Sequence, residues 1–257
     1  PDNPQVDGNK QRGGQENNRG VRGGTKQGTG DQNARQYVRS KPQPYVAGAG
    51  QAAMELNTKS TMLNRHINSA NHKKANTAFM RVGTLLVMTA NDPVNQKKIT
   101  DWLDYLLKQM TDNINSDQES IRVLWTGSAP KLDIVPVAGE AKHYFYINHP
   151  RLRLFINQFN RVDGLAYEVD QLWFAGLMSD ERREMSYKKL LYPMNAITEH
   201  FNYVTNISRR SGGTYTPEEF LKLLSEQESM RTFIMHHFEG PEHVKYAGTV
   251  KKFAGCE

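Results

Sequence analysis

Apolar residues recur at helical spacing along the middle of the chain and predict a mostly α-helical fold. From residue 51 to Met88 they fall at intervals typical of amphipathic helices. Asp92 and Pro93 then match the N-cap and the first position of another helix. The apolar residues of that helix share one face: Ile99, Trp102, Leu103, Leu106 and Met110. The polar stretch that follows, residues 111–120, predicts a loop.

The second half of the chain shows two more strong helical patterns. Pro150 fits the first turn of a helix whose apolar stripe is Leu152, Phe155, Ile156, Phe159 and Val162. Residues 186–207 predict a further helix, broken or kinked at Pro193. Thr216 to Glu219 form a capping box with proline at the first helical position, so a last helix is predicted to begin there. We expect little sheet, confined to residues 121–147.

The two ends of the chain differ in composition from this helical middle. Residues 1–36 hold only Val6 and Val21 as sizeable aliphatic residues and no aromatic residue. They bury too little apolar surface to offset the entropy lost on ordering. Their RG and RGG pieces suit loose RNA contact, although a solvated linker fits them as well. We therefore predict three parts: a flexible N-terminal arm over residues 1–50, a helical core over 51–215 and a C-terminal arm over 216–257.

The charge of the chain indicates an anionic partner. The formal net charge is +6 and the pI is about 9.3, which favours nucleic acid or a membrane surface. The longest apolar stretch is far too short to span a bilayer, and we expect no membrane partner. The single cysteine, Cys256, cannot form a disulfide within the chain, which favours a reducing, intracellular setting.

No arrangement of residues typical of catalysis stands out, and we predict that the chain is not an enzyme. It shows no phosphate-cradling loop, carboxylate pair or Gly-x-Ser-x-Gly elbow. A zinc site built from His236, His237, His243 and Cys256 would have spacings that match no metal motif. We therefore expect no catalytic residue, no metal and no cofactor.

Two arginines at a predicted helix start are the best candidates for binding chemistry. Arg151 and Arg153 follow Pro150, at a helix end where the dipole disfavours cations unless an anion is present. Backbone N–H groups also point at such an anion, so the pattern indicates a phosphate site, with two solvated arginines as the alternative. Ser128 lies in a tight Gly-Ser-Ala-Pro turn. It is a candidate phosphate or sugar contact, a nucleophile, or a residue that caps its own turn.

Four pieces of the sequence, in order, resemble the coat proteins of flexible filamentous plant viruses, most of all the potyvirus family. They are VGTLLVMTANDPVNQKKITDWLDYL, VLWTGSAP, HPRLRLFINQFNRVDGLAYE and AITEHFNYVTNISR. The sequence departs from the family pattern at Asn202, where the family has aspartate, and in the turn, where the serine is displaced by one position. The family's aspartate–alanine–glycine signature for aphid transmission is absent, which suggests a divergent, bymovirus-like member.

The resemblance implies an RNA pocket and a helical assembly. By position, the pocket carries over to Ser128, Arg153 and Asn202, with Arg151 on the same helix start. It also implies that copies of the chain polymerise around single-stranded RNA without reading its bases, in a virion and in the host cell cytoplasm. Two alternatives stay open: a nucleocapsid protein of a negative-strand RNA virus and a cellular RG-rich RNA-binding protein. The N-terminal arm would dock on an adjacent subunit around Tyr37, Val38, Tyr45 and Val46.

Overall fold

The computed structural model describes residues 50–67, 70–125, 132, 134, 141–205 and 216–237. All of them belong to one compact unit, Pro44–Glu257. The predicted turn at Ser128 lies outside the described residues, and so does the chain after residue 237. The same is true of the arm contacts predicted for Tyr37, Val38, Tyr45 and Val46.

Seven helices and two strands make up the described part of the chain, so the prediction of a mostly α-helical fold is confirmed. Within that part, no helix has both the length and the apolar character needed to cross a membrane. In chain order the elements are β1 (Ala52–Thr58), α1 (Thr61–Ile67), α2 (Ala70–Met88), α3 (Pro93–Arg122), β2 (Ala141–Ile147), α4 (Leu152–Phe174), α5 (Asp180–Thr205), α6 (Pro217–Ser225) and α7 (Met230–His237).

Two helix starts predicted from local residues, those of α3 and α6, are confirmed. Asp92 caps α3, and its side chain accepts a hydrogen bond from the Asn95 backbone N–H at 3.1 Å. Thr216 and Glu219 form the reciprocal capping box at the start of α6. Each cap satisfies a backbone donor that has no acceptor inside its own helix. The apolar stripes predicted for α3 and α4 are buried.

Helix α3 is longer than the sequence pattern predicts, and the loop predicted over residues 111–120 is wrong. The helix runs for 30 residues, because Ile114 and Ile121 extend its apolar stripe and are buried. Residues at this spacing stay on one helix face. Asn115, between them, faces α4 and accepts a hydrogen bond from Arg161 at 2.8 Å. The polarity of this stretch therefore marks a solvated helix face rather than a loop.

The first element is a strand, β1, where the sequence pattern predicts a helix. It pairs antiparallel with β2, with Ala52 opposite Ile147. Leu56 is buried, whereas Ala53 and Glu55 are exposed, an alternation typical of a strand with one buried face. The prediction fails here because the partner strand comes from a distant part of the sequence, and local spacing cannot reveal it.

An aromatic cluster holds α2, α4, α5 and β2 together. Phe79 of α2 is fully buried, and its ring centroid lies 5.3 to 6.4 Å from four others. The four are Phe145, Phe155, Phe159 and Phe201. All are edge-to-face contacts, each worth about 0.5–1.5 kcal/mol beyond the buried area. Helix α5 continues on both sides of the buried Pro193 and so carries Phe201 into this cluster.

Helices α6 and α7 pack against the rest of the described unit. Phe220 and Phe233, one from each helix, are buried with their ring centroids 4.8 Å apart. Lys98 of α3 donates a hydrogen bond to the Leu224 carbonyl at 3.1 Å. Residues 216–237, which the sequence assigns to the C-terminal arm, therefore contact α3, and the boundary at residue 216 stays a prediction.

Candidate nucleic-acid interface

The turn between β2 and α4 positions the two arginines predicted to bind RNA. Asn148 attaches this turn to α2, because its side-chain amide donates to the Met80 carbonyl and the Thr84 hydroxyl, both at 3.2 Å. Gly83 of α2 makes room for it, since a Cβ atom there would lie 1.7 Å from Asn148 Oδ1. The close approach of α2 to this turn therefore requires glycine at position 83.

The backbone N–H groups at the start of α4 already have acceptors within the turn. The Arg151 N–H donates to His149 Nδ1 at 3.3 Å. The N–H groups of Leu152 and Arg153 donate to the carbonyls of His149 and Pro150 at 3.2 and 3.1 Å. Burial, followed by the charge of Arg151, lowers the pKa of His149, which favours the neutral ring that accepts at Nδ1. A phosphate at this helix end would therefore depend on side chains more than on free amides.

The two arginines differ in what they contact. Arg151 Nη1 donates to Asp104 Oδ1 of α3 at 2.5 Å, and the two side chains are 39% and 58% exposed. Arg153 is exposed, and its guanidinium pairs with no carboxylate in the described part of the chain. It lines an open cleft of about 670 Å³, formed by the start of β1, the end of β2 and the turn before α4. Arg153 is thus the arginine whose charge is available to an anion.

The structure does not bring Asn202 together with this helix start. Asn202 of α5 donates to the Lys74 carbonyl of α2 at 3.2 Å, whereas the turn before α4 contacts Met80 and Thr84. These contact points lie six to ten residues apart, or about 9–15 Å along α2. Of the four predicted RNA-binding residues, Arg151 and Arg153 therefore share one site and Asn202 lies apart. Ser128 is outside the described residues.

Asp104 is the residue near this site that sequence reasoning missed. Its position on α3 indicates a solvated face, and the side chain is indeed exposed. Its partner, Arg151, lies 47 positions further along the chain. No local pattern links residues at that separation, since only the packing of α3 against α4 brings them together. Arg151 and Arg153 look equivalent in the sequence, but this ion pair makes them different in the structure.

Two buried carboxylates elsewhere have structural hydrogen bonds. Asp163 of α4 accepts from the backbone N–H groups of Lys59 and Ser60 at 2.8 and 3.0 Å, and from the Ser60 hydroxyl at 2.6 Å. Asp170 accepts from Arg183 of α5 at 2.6 Å. These bonds hold the β1–α1 turn and α5 against α4. Across the described ranges, no group of three or more His, Cys, Asp or Glu side chains could hold a metal ion.

Comparison with known proteins gives no family for this chain. No family model matches it, and no curated protein matches it. It is similar to a solved structure, the crystal structure of selenomethionine-containing AcaB from uropathogenic E. coli, with 16% identity and a TM-score of 0.47. The match covers 80% of this chain and 97% of that one. A likeness this weak carries no argument about fold or function.

Proposed function

We propose that this chain binds the backbone of single-stranded RNA and polymerises around it as a helical coat protein. Arg153 is the observation that carries the RNA-binding part of the proposal. Its guanidinium is exposed beside an open cleft, at a helix end that favours an anion. The net charge of +6 agrees with a polyanionic partner.

The chemistry of the contact follows from the geometry of the guanidinium. Its planar set of donors matches two phosphate oxygens at once, which fixes the strand without reading its bases. The neighbouring Arg151 is paired with Asp104, whose charge offsets its own, so it contributes less to anion binding than Arg153 does. Because the first amides of α4 are already bonded, Arg153 supplies the main direct contact at this helix start.

The coat-protein form of the proposal rests on the resemblance of the sequence to filamentous plant virus coats. In that form, subunits join head to tail in an open helix, through contacts made by the N-terminal arm. The two alternatives predict other assemblies. A negative-strand nucleocapsid protein would form closed rings, and a cellular RG-rich protein would stay monomeric with and without RNA.

RNA binding is tested by fluorescence anisotropy with a labelled single-stranded RNA and a duplex DNA of matched length. We expect Arg153→Ala to weaken RNA binding about tenfold, since one charge-assisted contact is worth roughly 1.5 kcal/mol or more. A plot of the logarithm of the RNA association constant against the logarithm of the salt concentration has a negative slope. The substitution should make that slope less steep by about 0.7. The matched control is Arg182→Ala, which removes another exposed arginine near the far end of α4. If both variants bind equally well, the Arg153 assignment is wrong.

Assembly is tested separately, by negative-stain electron microscopy and nuclease protection of RNA mixed with the purified chain. Flexuous rods that protect the strand support the coat-protein form. Rings support the nucleocapsid alternative, and monomers that bind RNA support the cellular one. We expect Arg153→Ala to abolish protection of long RNA while the subunit keeps its helical circular dichroism. A chain that neither assembles nor shields RNA at low salt would contradict the whole proposal.

A further inference from the structure

The cleft beside Arg153 is also lined by a histidine. His149 lies in the turn before α4 and borders the same space of about 670 Å³. The N–H groups of Leu152 and Arg153 donate to the carbonyls of His149 and Pro150, so the chain makes about one helical turn between the two side chains. Arg153 is exposed and His149 is half-buried. One turn of the chain therefore supplies both polar side chains to one cleft.

Helix α2 fixes the position of this turn. Asn76 of α2 donates to the Tyr144 carbonyl at 3.3 Å and accepts from the Tyr146 N–H at 3.0 Å, so β2 is bonded to α2 along the edge that faces away from β1. The side chain of Asn148 then bonds the turn itself to α2. Because the strand and the turn are both anchored, the side chain of His149 starts from a preorganised backbone.

The ring of His149 has one nitrogen in use and one available. Nδ1 accepts from the Arg151 N–H at 3.3 Å, and a neutral ring that accepts at Nδ1 carries its hydrogen on Nε2. In the described part of the chain, Nε2 of this ring has no acceptor. Burial, followed by the charge of Arg151, lowers the pKa of His149, so the ring is neutral at about pH 8. His149 thus offers one N–H donor with a fixed tautomer.

The other residues of the cleft do not compete for an anion. Ala52, Met54 and Ile147 give it an apolar wall, and none of its described lining residues is a carboxylate. An anion that enters the cleft can therefore bind the guanidinium of Arg153 and the N–H of His149 without meeting a negative charge. A phosphate group has several acceptor oxygens, so one group can bind both donors.

We propose that His149 is a second phosphate-binding residue of this cleft and donates from Nε2 to the RNA phosphate that Arg153 binds. The inference rests on the proposed function and adds a neutral donor to the charged one. A neutral donor displaces no counterion from the strand, so it should add affinity without steepening the salt dependence. The contributions of Arg153 and His149 can therefore be measured separately.

Two substitutions separate the donor of His149 from its acceptor. His149→Asn keeps an acceptor oxygen near the position of Nδ1 but has no donor at the position of Nε2, and His149→Gln does the reverse. Binding is measured by anisotropy with a labelled single-stranded RNA at about pH 8. We expect His149→Asn to weaken binding about tenfold, because it removes a hydrogen bond to a charged group. His149→Gln should keep most of the affinity. The salt dependence should stay unchanged in His149→Asn and become less steep in Arg153→Ala.

The outcomes distinguish a phosphate contact from a residue that only holds the turn. If His149→Asn binds as the unaltered chain does, or if His149→Gln is weakened as much, His149 acts through the turn and the inference is wrong. Single-stranded DNA of the same sequence should show the same loss as RNA. A loss confined to RNA would place the contact on the ribose 2′-hydroxyl and overturn the phosphate assignment.

Two parallel measurements complete the test. His236→Asn, at an exposed position of α7, is the control and should leave RNA binding unchanged, and urea unfolding checks that each variant folds. If Arg153→Ala weakens binding and His149→Asn does not, the proposed function stands and only the His149 contact is refuted. If the unaltered chain binds no RNA, the proposed function falls together with this inference.

Discussion

Acidification should destabilise the fold through one buried histidine. His200 of α5 is fully buried, and its Nε2 accepts a hydrogen bond from the Trp102 indole N–H at 3.1 Å. Burial lowers the pKa of His200 to about 3, so the ring is neutral in the folded chain at ordinary pH. Protonation at Nε2 would break the bond to Trp102 and place a charge in the core.

The size of the effect follows from the difference in pKa between the two states. An unfolded histidine titrates near 6.5. Above that pH neither state binds the proton, and stability is unaffected. Below it the unfolded chain binds a proton that the folded chain does not, so stability falls with falling pH down to about pH 3. At 1.36 kcal/mol per pH unit, the loss is about 2 kcal/mol from pH 6.5 to 5 and about 5 kcal/mol down to pH 3.

Urea unfolding at a series of pH values measures this loss, with His200→Gln as the comparison. Glutamine does not titrate, and its carbonyl still accepts from Trp102. We expect the variant to lose about 2 kcal/mol less than the unaltered chain between pH 6.5 and 5. Other histidines whose pKa burial lowers titrate in both proteins and cancel in the difference; they are His66, His72, His143, His149 and His237. Equal losses in the two proteins would refute the reasoning.

Two substitutions test the packing around α4. Gly83→Ala should lower the free energy of unfolding in urea by about 1–3 kcal/mol, because the added methyl group displaces Asn148 and the turn that carries the arginines. Unchanged stability would show that α2 and this turn are not in tight contact. Asp163→Asn should cost about 2 kcal/mol, since an amide replaces one of the two acceptor oxygens that bind the Ser60 region. Asp101→Asn, at an exposed position of α3, is its control and should cost less than about 0.5 kcal/mol.

Features of the fold that depend on neighbouring residues could be predicted from the sequence, and those that depend on distant partners could not. The cap at Asp92 and the apolar stripe of α3 are local, and both are present as predicted. β1 is built from residues that favour helices, such as alanine, methionine, glutamate and leucine. It is a strand because β2 pairs with it, which is a tertiary effect that overrides local propensity.

The same distinction applies to the candidate site. The position of Arg153 at a helix start follows from the proline before it and the apolar spacing after it, and the structure places it there. The difference between Arg151 and Arg153 depends on Asp104, because only Arg151 pairs with it. The packing of α3 against α4 brings Asp104 close to Arg151, and no local sequence pattern predicts that contact.

The side-chain amide of Asn76 has a consequence for how this two-stranded sheet can grow. It donates and accepts where a third strand would do so next to β2. In the antiparallel register, Ala53 and Glu55 lie opposite Tyr146 and Tyr144, so their backbone groups face away from β2. Within the described ranges those groups have no backbone partner. Asn76 thus makes the two edges of the sheet different. An added extended segment can pair with the free edge of β1, whereas the side chain of Asn76 blocks pairing with β2.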